Sequence, residues 1–410
     1  MIKLTGTILI LIFTFSLMSK PKEKVFYYST VKFIETPLSY LEGSVPLRKE
    51  MALCRNHYRF SYDDLHQLKS VAFYNGKTPR NPNHTANLFM LSHKIVFYYQ
   101  DSIQRIEFQD RNGKSTTVLG NCSSFIYILD QNGFRKSLHF LDQGGKRITN
   151  SWGIYQYQWT YQNDGSVIEE RYDQAGESVA IRPGFEFYRL KLNFNHFGQI
   201  ARMQNVDENG SLIENASGAS QDVIHTNHEG NFLSWNVLNN SSELEKGNGP
   251  NVAAGLQVFN DFGYEKQLKH FDEKGNRMYS AYGICESRTA FDEFGNIVER
   301  RFYNKEGKEG IHLEAGYHKL KIIWSKDGNR RSSLSYYNVN NQPVHHKSRG
   351  YHKVNYTYNS QNRLLKLSYL DNNEELINRD DNGVAMIEFE YDLDGKVSNT
   401  KRLNKNGKEI

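Results

Sequence analysis

Cysteine is almost missing from this 410-residue chain: Cys54, Cys122 and Cys285 are an odd number at scattered positions. They supply neither a disulfide framework nor a metal quartet, and the simplest expectation is three small buried apolar side chains. Proline is scarce too, at eight, and Pro79 and Pro82 in "GKTPRNPNH" mark one looser connection. Charge of one sign is missing as well. The 51 basic and 46 acidic residues are mixed along the chain, leaving +5. No concentrated basic stripe appears, so nucleic acid is not the expected partner.

Long apolar runs are absent beyond the N-terminus, so no later segment reads as a membrane-crossing helix. The start, "MIKLTGTILILIFTFSLMSKPKEK", has Lys3, an apolar run from Leu4 to Met18, and then a polar basic stretch. That run falls short of the roughly 20 residues a spanning helix needs. Residues 1–24 therefore read as a signal peptide or a short N-terminal anchor. No cysteine stands near Ser19 to accept a lipid.

Motifs for chemistry are missing. There is no H-E-x-x-H and no Gly-rich phosphate loop after a strand, and "GNGP" at 247–250 reads as a turn. His345 and His346 are adjacent, so in an extended segment they point to opposite faces, and no third ligand is apparent. "DLDG" at 392–395 resembles the start of a calcium loop, but the twelfth position is Leu403 rather than an acid. Asp130, Asp292, Asp327, Asp392 and Asp394 are better explained as turn caps. No metal or cofactor is expected. N-x-S/T triplets, among them those at Asn83, Asn121, Asn215, Asn240 and Asn355, would accept glycans only in a host that adds them.

What is present is repetition. "GYHKLKIIWSKDGNRRSSLSYYNVNNQPVHHKSRG" is followed at once by "GYHKVNYTYNSQNRLLKLSYLDNNEELINRDDNG". The first turn of the unit recurs at Gly133, Gly165, Gly198, Gly230, Gly263, Gly295, Gly328, Asn362 and Gly395. A second turn follows at Gly144, Gly176, Gly210, Gly275, Gly307, Asn340-Asn341, Asn372-Asn373 and Gly407. A third glycine opens units at Gly120, Gly153, Gly184, Gly218, Gly283, Gly316, Gly350 and Gly383.

Aromatic residues are the abundant class, with 26 Tyr and 24 Phe, which favours strands. Eight, six and four residues before the first turn stand Phe125, Tyr127 and Leu129, or Tyr157, Trp159 and Tyr161. Leu190, Leu192 and Phe194, or Val354, Tyr356 and Tyr358, repeat the pattern. Period two places each trio on one face of a strand. A second, less uniform strand follows each turn. The expected fold is all-β: tandem antiparallel β-hairpin repeats forming an elongated sheet or solenoid, because one hairpin alone is marginal in water. Within it, residues 25–56 form an N-terminal cap that can hold a short helix, 57–119 degenerate repeats, and 120–410 the regular array. The last strand is an expected bare edge, open to self-association or to strand addition by a partner.

"YDLDGK", "FDEFGNIVERRFYNKEGK" and "YQNDGSVIEERYDQAGE" resemble the units of bacterial YD-type and MORN-like β-hairpin repeat proteins, as a long-period variant of about 33 residues. That resemblance implies an extended sheet scaffold, often at a cell surface or attached to another activity. It does not imply catalysis by the repeats. The functional expectation is a non-enzymatic, exported scaffold that binds a protein or glycan partner at the bacterial envelope or surface. A carbohydrate-active enzyme would instead need two acids in one deep pocket, and a self-associating structural protein is the third alternative. Binding candidates are Trp159, Trp235, Trp324, Tyr356 and Tyr358, whose periodicity suits a core equally well.

Overall fold

The computed structural model describes residues 23–82, 92–393 and 395–410. The apolar N-terminal run, Asn83 and Asp394 lie outside the described residues. The described residues are 47% strand and 1% helix, with 26 antiparallel strands in one open sheet. Order follows sequence almost throughout. Lys24–Val31 lies between Gly43–Leu47 and Asn56–Tyr62. From Asn56–Tyr62 onward the main strands meander through Leu68–Asn75, Lys94–Gln100 and Ile103–Gln109 into nine regular hairpins. The first of these is Ser124–Leu129 with Arg135–Leu141, and the last is Met386–Tyr391 with Val397–Leu403. A one-turn helix, Lys49–Ala52, interrupts the N-terminal segment.

The hairpin turns have a repeated physical cause. In the first, the Asp130 N–H donates to the Phe134 carbonyl (2.8 Å), and the Gly133 N–H donates back to the Asp130 carbonyl (3.0 Å). Asp130 Oδ1 then accepts the N–H groups of Asn132 and Phe134, both at 2.9 Å. Gly133 has φ of 84°, a left-handed conformation that costs glycine little. A register shift beside the turn completes a bulged hairpin. The same carboxylate or amide cap recurs at Asp292, Asn359 and Asp392. Two second turns differ from the expected positions. Positive φ falls on Gly145 rather than Gly144, because Asp142 starts the four-residue count; it falls on Glu374, one place beyond the Asn372-Asn373 pair.

Third turns stack on one another. The Ser151 N–H donates to the Leu119 carbonyl, Lys347 to Ala315, and Asp380 to Arg349, at 2.8–3.1 Å. These units thus satisfy a neighbour's backbone outside the strand ladder as well as within it. That contact is available only if the next unit is in place.

The sheet does not close on itself through strand pairing, yet it curls back onto its own beginning. The Asn56 N–H donates to the Phe294 carbonyl at 2.8 Å, and Asn56 Nδ2 to Asn296 Oδ1 at 3.0 Å. Arg80 Nη1 reaches Asn296 Oδ1 (2.8 Å) and the Gly328 carbonyl (3.0 Å). First turns two hundred residues downstream therefore seat on the N-terminal strands. Between those strands, segment 32–42 crosses the interior. Its Pro37 and Ser39 carbonyls each accept from Arg135 Nη1 at 2.8 Å, and Phe33 stacks on Phe232 at 4.4 Å.

Two cores result. The larger joins the N-terminal strands to the hairpins as far as Val237 and includes Phe60, Phe108, Phe140 and Phe187, all fully buried. Each such side chain contributes about 1.5–3 kcal/mol of burial. The smaller runs from Phe302 to Val384 and is a row of tyrosines, with Tyr317–Tyr336 at 4.5 Å and Tyr351–Tyr369 at 4.9 Å. Beneath the larger core lies a fully buried ion pair: Arg171 Nη1 meets Glu169 Oε1 at 2.6 Å, while Glu169 Oε2 accepts Trp159 Nε1 at 2.8 Å. Cys122 and Cys285 are buried as expected, but Cys54 is exposed, because it follows the one-turn helix at the surface; all three are free thiols.

Candidate functional site

Where the coil meets its N-terminal strands it encloses a cavity of ≈640 Å³. Ser29, Thr30 and Glu35 approach from the N-terminal side, and strands from five successive hairpins supply the opposite wall. Tyr282, 53% exposed, marks where the cavity reaches the surface beside the third turns. Its far end lies at the first turns, against Asn231, Asn296 and Trp324.

The inward strand positions explain why space is left here. Eight residues before the first turn, neighbouring units place Phe125, Tyr157, Leu190 and Leu320; the three units between place Asp222, Gly255 and Ser287. Six residues before it, two of those units carry Gln257 and Thr289 instead of an apolar side chain. Large side chains are thus withdrawn from adjacent units, and a void follows. Trp235 occupies part of it. It sits directly across from Gly255, and a Cβ on that glycine would come within 1.9 Å of the indole. The indole is stacked at 5.5 Å with Phe232 and meets His270 edge-on at 5.9 Å.

Ionic groups in the cavity are compensated locally. Glu35 contacts Arg182, whose guanidinium lies 3.9 Å over the Phe185 ring. Burial lowers Arg182 to about 10, so it stays charged at neutral pH. Asp222 is pushed up to about 7 by burial, against the opposing pull of Arg182 and a 2.9 Å hydrogen bond from Asn248 Nδ2. Burial likewise raises Glu265, with Arg300 acting the other way. His270 is lowered by burial, and its Nδ1 is 2.8 Å from the Ile284 carbonyl. Only Nδ1–H can satisfy a carbonyl, so the neutral ring leaves Nε2 as an acceptor. Ser29 Oγ, Thr30 Oγ1 and Gln257 Oε1 are buried atoms for which the described residues provide no hydrogen-bond partner.

The five aromatic candidates separate. Trp235 and Trp324 line the cavity. Trp159 is buried in the larger core, stacked 5.8 Å from Tyr157 and bonded to Glu169. Tyr356 is half-buried beside the tyrosine row, with Arg331 Nη1 3.3 Å from its hydroxyl. Tyr358 donates to the Arg331 carbonyl at 3.1 Å, just as Trp324 Nε1 donates to the Ile297 carbonyl at 2.8 Å and Tyr391 to the Leu364 carbonyl at 2.8 Å. This last inward position ties one hairpin to the preceding one. His346 packs against Tyr317 and Tyr336 and is lowered to about 4, chiefly by burial. Among the described residues no three His, Cys, Asp or Glu side chains gather as a metal site, and no helix is long and apolar enough to cross a membrane.

Glu35, Arg182 and Asp222 were not singled out by motif reading. The available signal was the break in periodicity at Asp222, Gly255 and Ser287.

No family model matches the chain, and no curated protein matches it in sequence. Among solved structures, TcdB2-TccC3-TEV is 10% identical, covering 84% of this chain and 17% of its own, with a TM-score of 0.26. A porin-like protein from Bacteroides uniformis is 11% identical, covering 52% of this chain and 81% of its own, with a TM-score of 0.23. The chain therefore spans about a sixth of the first of these proteins, and neither overlay bears on function.

Proposed function

We propose that this protein is a non-enzymatic, exported repeat scaffold of the YD-like and MORN-like kind, which binds a protein or glycan partner at the bacterial envelope or surface. The observation that carries this reading is the division of labour among its residues. Recurring Asp and Asn side chains are engaged by turn backbones, and recurring Tyr and Trp side chains tie hairpin to hairpin. Among the buried groups without a protein hydrogen-bond partner, Ser29 Oγ, Thr30 Oγ1 and Gln257 Oε1 gather at one aromatic-walled cavity, where a bound molecule would complete them. The N-terminal apolar run supports export.

A pull-down of the tagged full chain from native envelope extract, with mass spectrometry of the mature N-terminus, tests it. A saturable partner together with cleavage near Ser19 is the expected result. Full-length protein held in the inner membrane with no partner would overturn it. A second reading, glycoside hydrolysis, is favoured by one observation: the carboxyls of Glu35, Asp222 and Glu265 line one cavity, and Asp222 is raised into the range of a general acid. Release of reducing sugar from oligosaccharides, lost in Asp222→Asn, would move the assignment to that reading.

A further inference from the structure

Resting on the binding reading above, we propose that the cavity takes a short uncharged glycan, with the Trp235 indole as its stacking platform and Ser29, Thr30 and Gln257 as its hydrogen-bond partners. The argument starts from what these three residues lack. Ser29 is 1% exposed, its hydroxyl meets no protein partner, and it lines the cavity. Thr30 Oγ1 and Gln257 Oε1 are in the same position. An unsatisfied buried polar atom destabilises the fold, so three at one cavity are a standing cost that a suitable ligand removes. Two hydroxyls can donate or accept, and an amide oxygen can only accept. Their complement is a molecule that both donates and accepts at several points, as sugar hydroxyls do.

Charge narrows the class. Arg182 is answered by Glu35, and Arg300 lies close enough to Glu265 to oppose its upward shift. No lone ionic group is left to select an anion or a cation, and a charged ligand would lose its hydration without a counter-charge. Shape narrows it further. The flat indole of Trp235 lines the cavity, packed against Gly255 and stacked at 5.5 Å with Phe232, so its orientation is set before anything binds. Aromatic faces of this kind suit the C–H face of a pyranose while the ring's edge hydroxyls reach polar groups. A volume of ≈640 Å³ lies within the range of small-ligand sites and matches one to three sugar units better than a folded partner. The departures from the apolar pattern at this strand position fall in three consecutive units, at Asp222, Gly255 and Ser287, and Asp222 lines the cavity, which is how a built site is expected to interrupt a repeat.

Calorimetric titration of the full chain with neutral mono- to trisaccharides tests the proposal, with uronic-acid counterparts and an apolar aromatic of similar size as probes. We expect a neutral saccharide to bind and the charged and apolar probes to bind at least tenfold more weakly. Trp235→Ala should lower affinity at least tenfold. Because that variant also opens the packing, Gln257→Met is the companion: it removes an unsatisfied atom, so thermal stability of the free protein stays level or rises while affinity falls about tenfold. Preference for a uronate or the apolar probe would overturn the proposal, as would unchanged saccharide affinity in both variants. Absence of any saccharide binding also overturns it, water then completing the three groups. If the envelope pull-down still captures a partner in these variants, the scaffold reading stands and the glycan falls; if it captures nothing from the wild type either, both fall.

Discussion

Replacing Asp222 with Asn should stabilise the protein at alkaline pH, and the gain should fade as the pH falls. Burial raises the Asp222 carboxyl from 3.8 to about 7, so between those values the folded chain holds a proton that the unfolded chain has released. Stability then falls as pH rises through this window, and it levels off above about 7. Between pH 5 and 7 two pH units act on one proton, which sets a ceiling of about 3 kcal/mol on the change, at about 1.4 kcal/mol per unit. Water entering at the Tyr282 mouth would reduce it, so about 1–3 kcal/mol is the working range. Other groups titrate nearby. His57, His93 and His270 are lowered by burial, so they act in the opposite direction, losing stability as the pH drops below their unfolded value. They are common to both proteins and cancel in the difference. Urea unfolding at pH 5, 6, 7 and 8, followed by tryptophan emission and by amide exchange over 221–226, would read the gap. A variant that becomes progressively less stable than wild type as pH rises would refute the reasoning. It would mean that the carboxylate is ionised in the fold and held by Arg182.

Arg171→Met should cost about 3–5 kcal/mol, since it strands the fully buried Glu169 carboxylate and frees the Phe187 and Tyr188 carbonyls; Glu169→Gln together with Arg171→Met should recover most of that loss in a urea titration. Gly255→Ala should cost about 1–3 kcal/mol and shift the tryptophan emission maximum, because its methyl displaces the Trp235 indole; an unshifted spectrum would show that the indole does not rest there.

The hairpin array was legible because its determinants are local. Period-two aromatics in "VNYTY" and a turn such as "FDEFGN" specify a strand and a bulged connection from a few neighbouring residues, whatever the rest of the chain does. Even the departures are local: positive φ falls on Gly145 rather than Gly144 because the turn begins at Asp142. Aromatic candidates were harder to sort, because period two says which residues share a face but not what that face meets. Trp159 and Trp324 both stand on the inward face of a unit's first strand, yet one is bonded to a buried glutamate and the other lines a cavity.

By itself, the sequence determined the all-β class, the repeat of 32 to 34 residues between first turns, and the inward face of most strands. Tertiary structure alone decided that the open sheet curls until Asn56 meets Asn296, that segment 32–42 crosses the interior, and that Glu35, Arg182 and Asp222 gather around one cavity. The physical reason is range. Hairpins are fixed by contacts a few residues apart, whereas the curl accumulates from small twists between many successive strands, and no single unit encodes where their sum will bring the chain back to its beginning.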